Sequence, residues 1–99
     1  MVTITAVLRA KPGHGDDMLA ALRRVAAEVR DCEPGTTGFY VCRDVKDALA
    51  FTTYERFVDQ AAMDRHNSTA AARFVEEAGA WLDGDVTLLT CEEMEAVSK

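Results

Sequence analysis

The sequence predicts an α+β fold in which four strands form one antiparallel sheet and helices pack against it. Three observations predict this fold. The chain has only 99 residues, 48% of them hydrophobic, which suits a single folded domain over residues 1–99. Four short apolar segments have the length and composition of strands. The segments after the first and third of these strands carry apolar residues at the spacing of helices.

The first two elements are a strand and an amphipathic helix. Apolar and other residues alternate over residues 2–9, which is the period of a strand. Residues 11–15 contain proline and two glycines and predict a turn. From Asp16 onward the apolar residues recur every three or four positions, as in a helix of about four turns. These residues are Met18, Leu22, Val25 and Val29.

The middle of the chain predicts a turn and two strands. Residues 33–35 (Glu-Pro-Gly) end the helix, because proline cannot continue it and glycine permits a tight turn. Residues 38–43 and 48–55 read as strands that are apolar on both faces. Such strands are covered on both faces. Because the helices of so small a chain can cover only one face well, we expect a second copy to cover the other.

The last third of the chain predicts two helices and a strand. Residues 58–66 read as a short helix, and residues 67–69 offer a break and an N-cap for the next. The second helix is expected to carry its apolar face as far as Leu82, and residues 86–91 form the final strand. The order strand, helix, strand, strand, helix pair, strand matches the split βαβ arrangement of ferredoxin-like folds.

Charge and cysteine content exclude several classes of function. The net charge is −6, from 11 basic and 17 acidic residues. The basic residues are scattered, so neither nucleic acid nor an anionic membrane is an expected partner. Cys32, Cys42 and Cys91 lack the close pairing of metal sites, and an odd number cannot form a complete disulfide framework. Without a signal-peptide pattern or an apolar run long enough to span a membrane, we expect a cytoplasmic protein with reduced thiols.

The segment from Phe51 to His66 is the best candidate for a functional site. It brings a carboxylate, Glu55, and an aromatic side chain, Tyr54, close in sequence to a histidine. Imidazole is the side chain whose ordinary pKa lies nearest neutrality. The only other histidine, His14, lies in a glycine-rich turn, where exposure to solvent is the expected state.

The chain resembles the antibiotic biosynthesis monooxygenase family of dimeric α/β-barrel proteins. The resemblance covers nearly the whole chain and depends on the order and spacing of short landmarks. These are residues 11–13, residues 33–35, Phe51 through Glu55, residues 61–63, His66, and residues 68–69. The resemblance implies a ferredoxin-like subunit whose sheet packs against a second copy to form a dimeric α/β barrel. It also implies a pocket between the sheet and its helices.

The resemblance implies several possible activities. Members of the family include cofactor-free oxygenases of anthrones and quinols, haem-degrading enzymes and an isomerase of a phosphorylated sugar. Phe57 stands where the family often has tryptophan, and Ala70 and Ala71 stand where proline and a second histidine are frequent. Residues 68–82 contain no histidine to bind haem iron. The favoured activity is therefore cofactor-independent monooxygenation of a small aromatic, quinol or polyketide-like substrate by molecular oxygen.

This activity assigns roles to particular side chains. His66 is the expected base, and Glu55 is expected to orient it. The alternative is a purely structural Glu55–His66 pair. Aromatic and basic side chains that could bind the substrate are Tyr40, Phe51, Tyr54, Phe57, Arg73, Phe74 and Trp81. Two other functions stay open: an isomerase that uses the same histidine, and a ligand-binding or stress-response dimer without catalysis.

Overall fold

The structure, a computed structural model, describes residues 1–99 and contains one four-stranded sheet with helices on one of its faces. In chain order the elements are β1 (Val2–Arg9), α1 (Gly15–Cys32), β2 (Thr36–Arg43), β3 (Ala50–Phe57), α2 (Gln60–Ser68), α3 (Ala70–Ala78), a 3-10 turn (Gly79–Trp81) and β4 (Thr87–Glu92). The strand order is β2-β3-β1-β4, and all neighbouring strands are antiparallel. The predicted α+β, ferredoxin-like fold is confirmed.

The inner face of the sheet, covered by the helices, carries the core. Along β3, every second residue from Phe51 to Phe57 is buried, because successive side chains of a strand point to opposite faces. The largest apolar cluster joins the sheet to α1 through Leu8, Phe51 and Met18. A second cluster joins the other end of the sheet to α2. The site described below lies between these two clusters.

The outer face of the sheet is not covered by any element of the chain. Exposed apolar or aromatic side chains on this face are Val7, Tyr40, Tyr54 and Leu89. Tyr54 pairs with Tyr40 on one side and with Thr5 on the other, and Thr5 also pairs with Leu89. One row across all four strands, called the outer row below, therefore consists of Tyr40, Tyr54, Thr5 and Leu89.

The two helices that follow β3 are capped differently from the prediction. Its N-terminus is capped by the Asp59 carboxylate, which accepts a hydrogen bond of 2.9 Å from the backbone N–H of Ala62. Only Thr69 separates α2 from α3, and its hydroxyl does not cap α3. It donates instead to the carbonyl of Arg65, 2.8 Å away. The expected break at residues 67–69 is therefore present, with Thr69 in the N-cap position, but no side chain caps α3.

A glycine allows α2 to lie close to the turn after α1. A Cβ atom added at Gly35 would lie 2.7 Å from the Cβ of Ala62, and neither group can rotate away. We therefore expect Gly35→Ala to destabilise the protein by about 1–3 kcal/mol, as overpacking does. Urea unfolding measures this. Gly79→Ala is the matched control, because its added Cβ meets nothing closer than 4.0 Å. Equal losses in both variants would contradict this account of Gly35.

Candidate active site

Glu55 lies on the inner face of β3, where the alternation of the strand turns its side chain toward the helices. Only 6% of the residue is exposed to solvent. Its Oε2 atom accepts a hydrogen bond of 2.8 Å from the hydroxyl of Thr53, two residues earlier on the same face. Thr53 thereby fixes the orientation of the carboxylate and leaves Oε1 for another donor.

His66 meets this carboxylate from the last turn of α2. Its Nε2 atom lies 3.1 Å from Oε1 of Glu55, so the pairing expected from the sequence is present in the geometry. The ring is buried, with 2% of the residue exposed. Phe39 and Phe57 pack around it, with ring centroids 5.7 and 5.4 Å from that of His66. The imidazole is therefore held in an apolar setting.

A second carboxylate contacts His66, and the sequence did not reveal it. The Nδ1 atom of His66 lies 2.9 Å from Oε1 of Glu33, the residue that follows α1. The same oxygen accepts a hydrogen bond of 2.8 Å from the hydroxyl of Thr36. Glu33 is 6% exposed, and its Oε2 atom is buried without a hydrogen-bond partner. The site is thus a chain of three groups, Glu33–His66–Glu55, called the triad below.

The triad favours a positively charged imidazole. Burial by itself would lower the pKa of His66. Hydrogen bonds and charges from Glu55, and then from Glu33, outweigh burial and raise the pKa above its usual range. The only ion pairs that the two carboxylates make are those with His66. The imidazolium is therefore their only counter-charge.

Glu55 and His66 both face a largely apolar cavity of about 190 Å³ between the sheet and the helices. They are its only ionisable lining residues, and Thr53 and Asn67 are the other polar ones. The apolar lining comes from the sheet, from α1 and α3, and from the segment between α3 and β4: Ile4, Ala6, Leu8, Leu22, Val25, Phe39, Ala71, Phe74, Val75, Leu82, Val86 and Leu88. The arrangement can bind a small apolar molecule and exchange a proton with it.

A different cleft lies on the Glu33 side of the triad. Its volume is about 250 Å³, and it runs between the turn after α1 and the first turns of α2. Its lining residues are Glu33, Gly35, Thr36, Val58, Asp59, Ala61, Ala62 and Arg65. The triad therefore joins two separate spaces, an apolar cavity at Glu55 and a more polar cleft at Glu33.

The structure does not bring Tyr54 and Tyr40 to the cavity. Both belong to the outer row, where their rings stack on each other with centroids 6.2 Å apart. Tyr54 directly precedes Glu55, so the two side chains must point to opposite faces of the sheet. The structure therefore does not place either tyrosine where it could contact a molecule bound in this cavity.

The other expected substrate-binding residues are divided between the cavity and the rest of the fold. Phe74 lies in the cavity wall. Phe51 is buried in the core against α1, and Phe57 packs on His66 without lining the cavity. Arg73 points away and forms an ion pair with Glu28 of α1. Trp81 lies in the 3-10 turn beyond the end of α3, where it is half-buried against the core and stacks on His14.

The cysteines and the remaining acidic and histidine residues provide no obvious second site. Cys32, Cys42 and Cys91 are free thiols on the exposed surface. No three His, Cys, Asp or Glu side chains are grouped in a way that would hold a metal ion. None of the helices has the length and apolar character needed to span a membrane.

Comparison with known proteins agrees with the fold. The sequence model of the antibiotic biosynthesis monooxygenase family matches residues 1–77. Among curated sequences there is no significant match. The Pseudomonas aeruginosa protein PA3566 is 28% identical, with a TM-score of 0.84 over 95% of this chain and 94% of its own.

Two other solved structures are similar over nearly the whole chain. One, described as an antibiotic biosynthesis monooxygenase, is 27% identical, with a TM-score of 0.86 over 96% of this chain and all of its own. Rv0793 from Mycobacterium tuberculosis shares the fold at 17% identity, with a TM-score of 0.87 over 98% of each chain. With a family match over three quarters of its length, the chain belongs to the antibiotic biosynthesis monooxygenase family.

Proposed function

We propose that the protein is a cofactor-independent monooxygenase of a small aromatic quinol or phenol. The observation that carries the proposal is the pairing of Glu55 with His66 in the wall of an otherwise apolar cavity. Such a cavity binds a flat ring, and the pair is the only group within it that can take up a proton. Membership of the monooxygenase family supports the same reaction class.

The chemistry needs no external electron donor. The Glu55–His66 pair removes a proton from the substrate, and the electron-rich anion that results transfers an electron to molecular oxygen. Recombination and loss of water place one oxygen atom on the ring and release the other as water. The substrate itself supplies all four electrons that reduce the oxygen. The protein contributes the proton acceptor, the apolar cavity and the charge of His66 beside the anion.

The size of the cavity favours a substrate with one ring. An engineered apolar cavity of about 150 Å³ binds benzene in another protein. The 190 Å³ found here is only modestly larger and suits a single ring with small substituents. A monocyclic hydroquinone is therefore a better candidate than a three-ring anthrone.

Oxygen uptake by the metal-free protein tests the proposal. With substituted hydroquinones we expect turnover by the wild type and a loss of about 100-fold or more in Glu55→Gln, the usual contribution of a general base. His14→Ala is the matched control, because His14 lies at the surface and contacts Asp17 instead of the cavity. Absence of enzymatic oxygen uptake with both one-ring and three-ring substrates would exclude the proposed reaction.

An isomerase built on the same site is the second candidate. A carboxylate and an imidazole 3.1 Å apart are also suited to moving a proton between two atoms of one substrate. Isomerisation consumes no oxygen. Product formation under anaerobic conditions therefore distinguishes it from monooxygenation. If neither an oxygenated nor an isomerised product forms, a ligand-binding role without catalysis is favoured.

A homodimer is the proposed assembly. The outer row is exposed in the single chain although it carries two tyrosines and a leucine. The triad and its cavity lie on the inner face, so pairing through the outer face leaves the site open to substrate in each subunit. A second copy is the proposed occupant, because the outer row presents the same side chains from both partners of a two-fold pair.

A further inference from the structure

The two ring nitrogens of His66 are both engaged by carboxylates. Nδ1 lies 2.9 Å from Glu33 and Nε2 lies 3.1 Å from Glu55, and both contacts are buried. An ionised carboxylate only accepts hydrogen bonds, so both contacts are satisfied only when each nitrogen carries a proton. A ring protonated at both nitrogens has no lone pair with which to accept another proton. In this arrangement His66 is not free to act as the base.

We propose that Glu33 is a positioning residue that, together with Glu55, holds His66 as a fixed imidazolium, so that Glu55 is the group that accepts the substrate's proton. This inference rests on the proposed function and names the acceptor within it. Glu33 itself does not line the cavity. It acts through His66 by setting the charge and the orientation of the ring.

The proton transfer is then a simple exchange beside a constant positive charge. The O–H bond of the substrate breaks, and its proton bonds to a carboxylate oxygen of Glu55. The negative charge passes from that carboxylate to the substrate oxygen. His66 keeps both of its protons and lies beside the negative charge before and after the step. Its field therefore stabilises the anion that must react with oxygen.

No other charged group competes for the ring. Phe39 and Phe57 cover it from β2 and β3, and α3 contributes Ala71 and Phe74 to the adjoining cavity, none of which titrates. On α2, Arg65 lines the cleft beside Glu33 but makes no ion pair with it. The charge of His66 therefore depends on the two carboxylates alone.

Nitrogen-15 NMR of the histidine rings tests the charge without any substrate. In the wild type we expect His66 to show two protonated nitrogens at pH 7. In Glu33→Gln, the midpoint of its titration should fall by about one pH unit or more, the usual effect of removing one adjacent opposite charge. Glu28→Gln is the matched control, because Glu28 pairs with Arg73 outside the site. A neutral His66 ring in the wild type at pH 7, or an unchanged midpoint in Glu33→Gln, would overturn the inference.

The pH profile of oxygen uptake then links this charge to the reaction. In Glu33→Gln, kcat/KM should fall as pH rises through the NMR midpoint of His66, while the wild type stays level over that range. A flat profile in the variant would overturn the positioning role. If the NMR results are as expected and no quinol is turned over, the fixed imidazolium stands and the proposed function fails. If quinols are turned over and His66 is neutral, the function stands and this inference fails.

Discussion

Replacing His66 with alanine is expected to destabilise the protein by about 3–5 kcal/mol, the usual effect of removing one partner from a buried ion pair. The change leaves two buried carboxylates, Glu33 and Glu55, without a counter-charge. It also leaves a space next to Phe57. Because the free energy of unfolding of a native domain is about 5–15 kcal/mol, a loss of this size is enough to unfold a marginally stable protein. Denaturant unfolding followed by circular dichroism measures it.

A second substitution separates the charge effect from the loss of packing. In the His66→Ala background, Glu33→Gln removes one of the uncompensated charges and should restore part of the lost stability. In the wild-type background the same substitution should destabilise. If Glu33→Gln has the same effect in both backgrounds, the two residues do not interact and the triad is not an electrostatic unit. His14→Ala should be nearly neutral, since an exposed ion pair contributes little.

The stability that His66 provides should also depend on pH, with a defined sign. The pKa of His66 is raised in the folded protein. Below the unfolded value of about 6.5 the ring is protonated in both states, and its contribution is fully present. As pH rises above that value, the unfolded chain loses its proton first and the contribution declines. It is lost once pH passes the folded pKa. The stability gap between wild type and His66→Ala should therefore narrow from about pH 6.5 upward.

Much of the fold and two of the three members of the triad could be predicted from the sequence because the signals are local. Glu55 is the last residue of the predicted third strand, and His66 lies in the next helix, only 11 residues later. A short connection makes such elements neighbours in space. A second local rule, the alternation of side chains along a strand, would have placed Tyr54 on the outer face. If Glu55 points toward the helices, the residue before it must point away. Apolar character on both faces of the strand obscured which face was the inner one.

The sequence does not identify Glu33 as a site residue, because the proline and glycine that follow it already explain why the helix ends there. Pro34 and Gly35 account for the end of α1, so the sequence assigns Glu33 only to the segment that ends this helix. Its contact with His66 joins residues 33 positions apart. That contact depends on how closely α2 approaches the turn, which Gly35 permits and no local pattern reveals. Trp81 shows the opposite failure, in which a local pattern predicts too much. Its helical spacing continues to Leu82 in the sequence, but α3 ends at Ala78.

The outer face of the sheet offers the second test of large effect, which concerns the proposed homodimer. Leu89 and Val7 are 59% and 48% exposed on adjacent strands of the outer face. Large apolar patches on a sheet face mark sites of association. A carboxylate placed on a face that meets its own copy would be buried in the interface together with its counterpart from the second subunit. Two like charges without partners are strongly unfavourable in such a place.

We therefore expect the wild type to elute as a dimer and Leu89→Asp combined with Val7→Asp to elute as a 10.8 kDa monomer. Size-exclusion chromatography with light scattering measures both masses. Val45→Asp is the matched control, because Val45 is 97% exposed in the turn between β2 and β3, away from the outer row. A wild-type monomer at micromolar concentration would contradict the proposed assembly. A dimer that survives both aspartates would show that the copies meet through another surface.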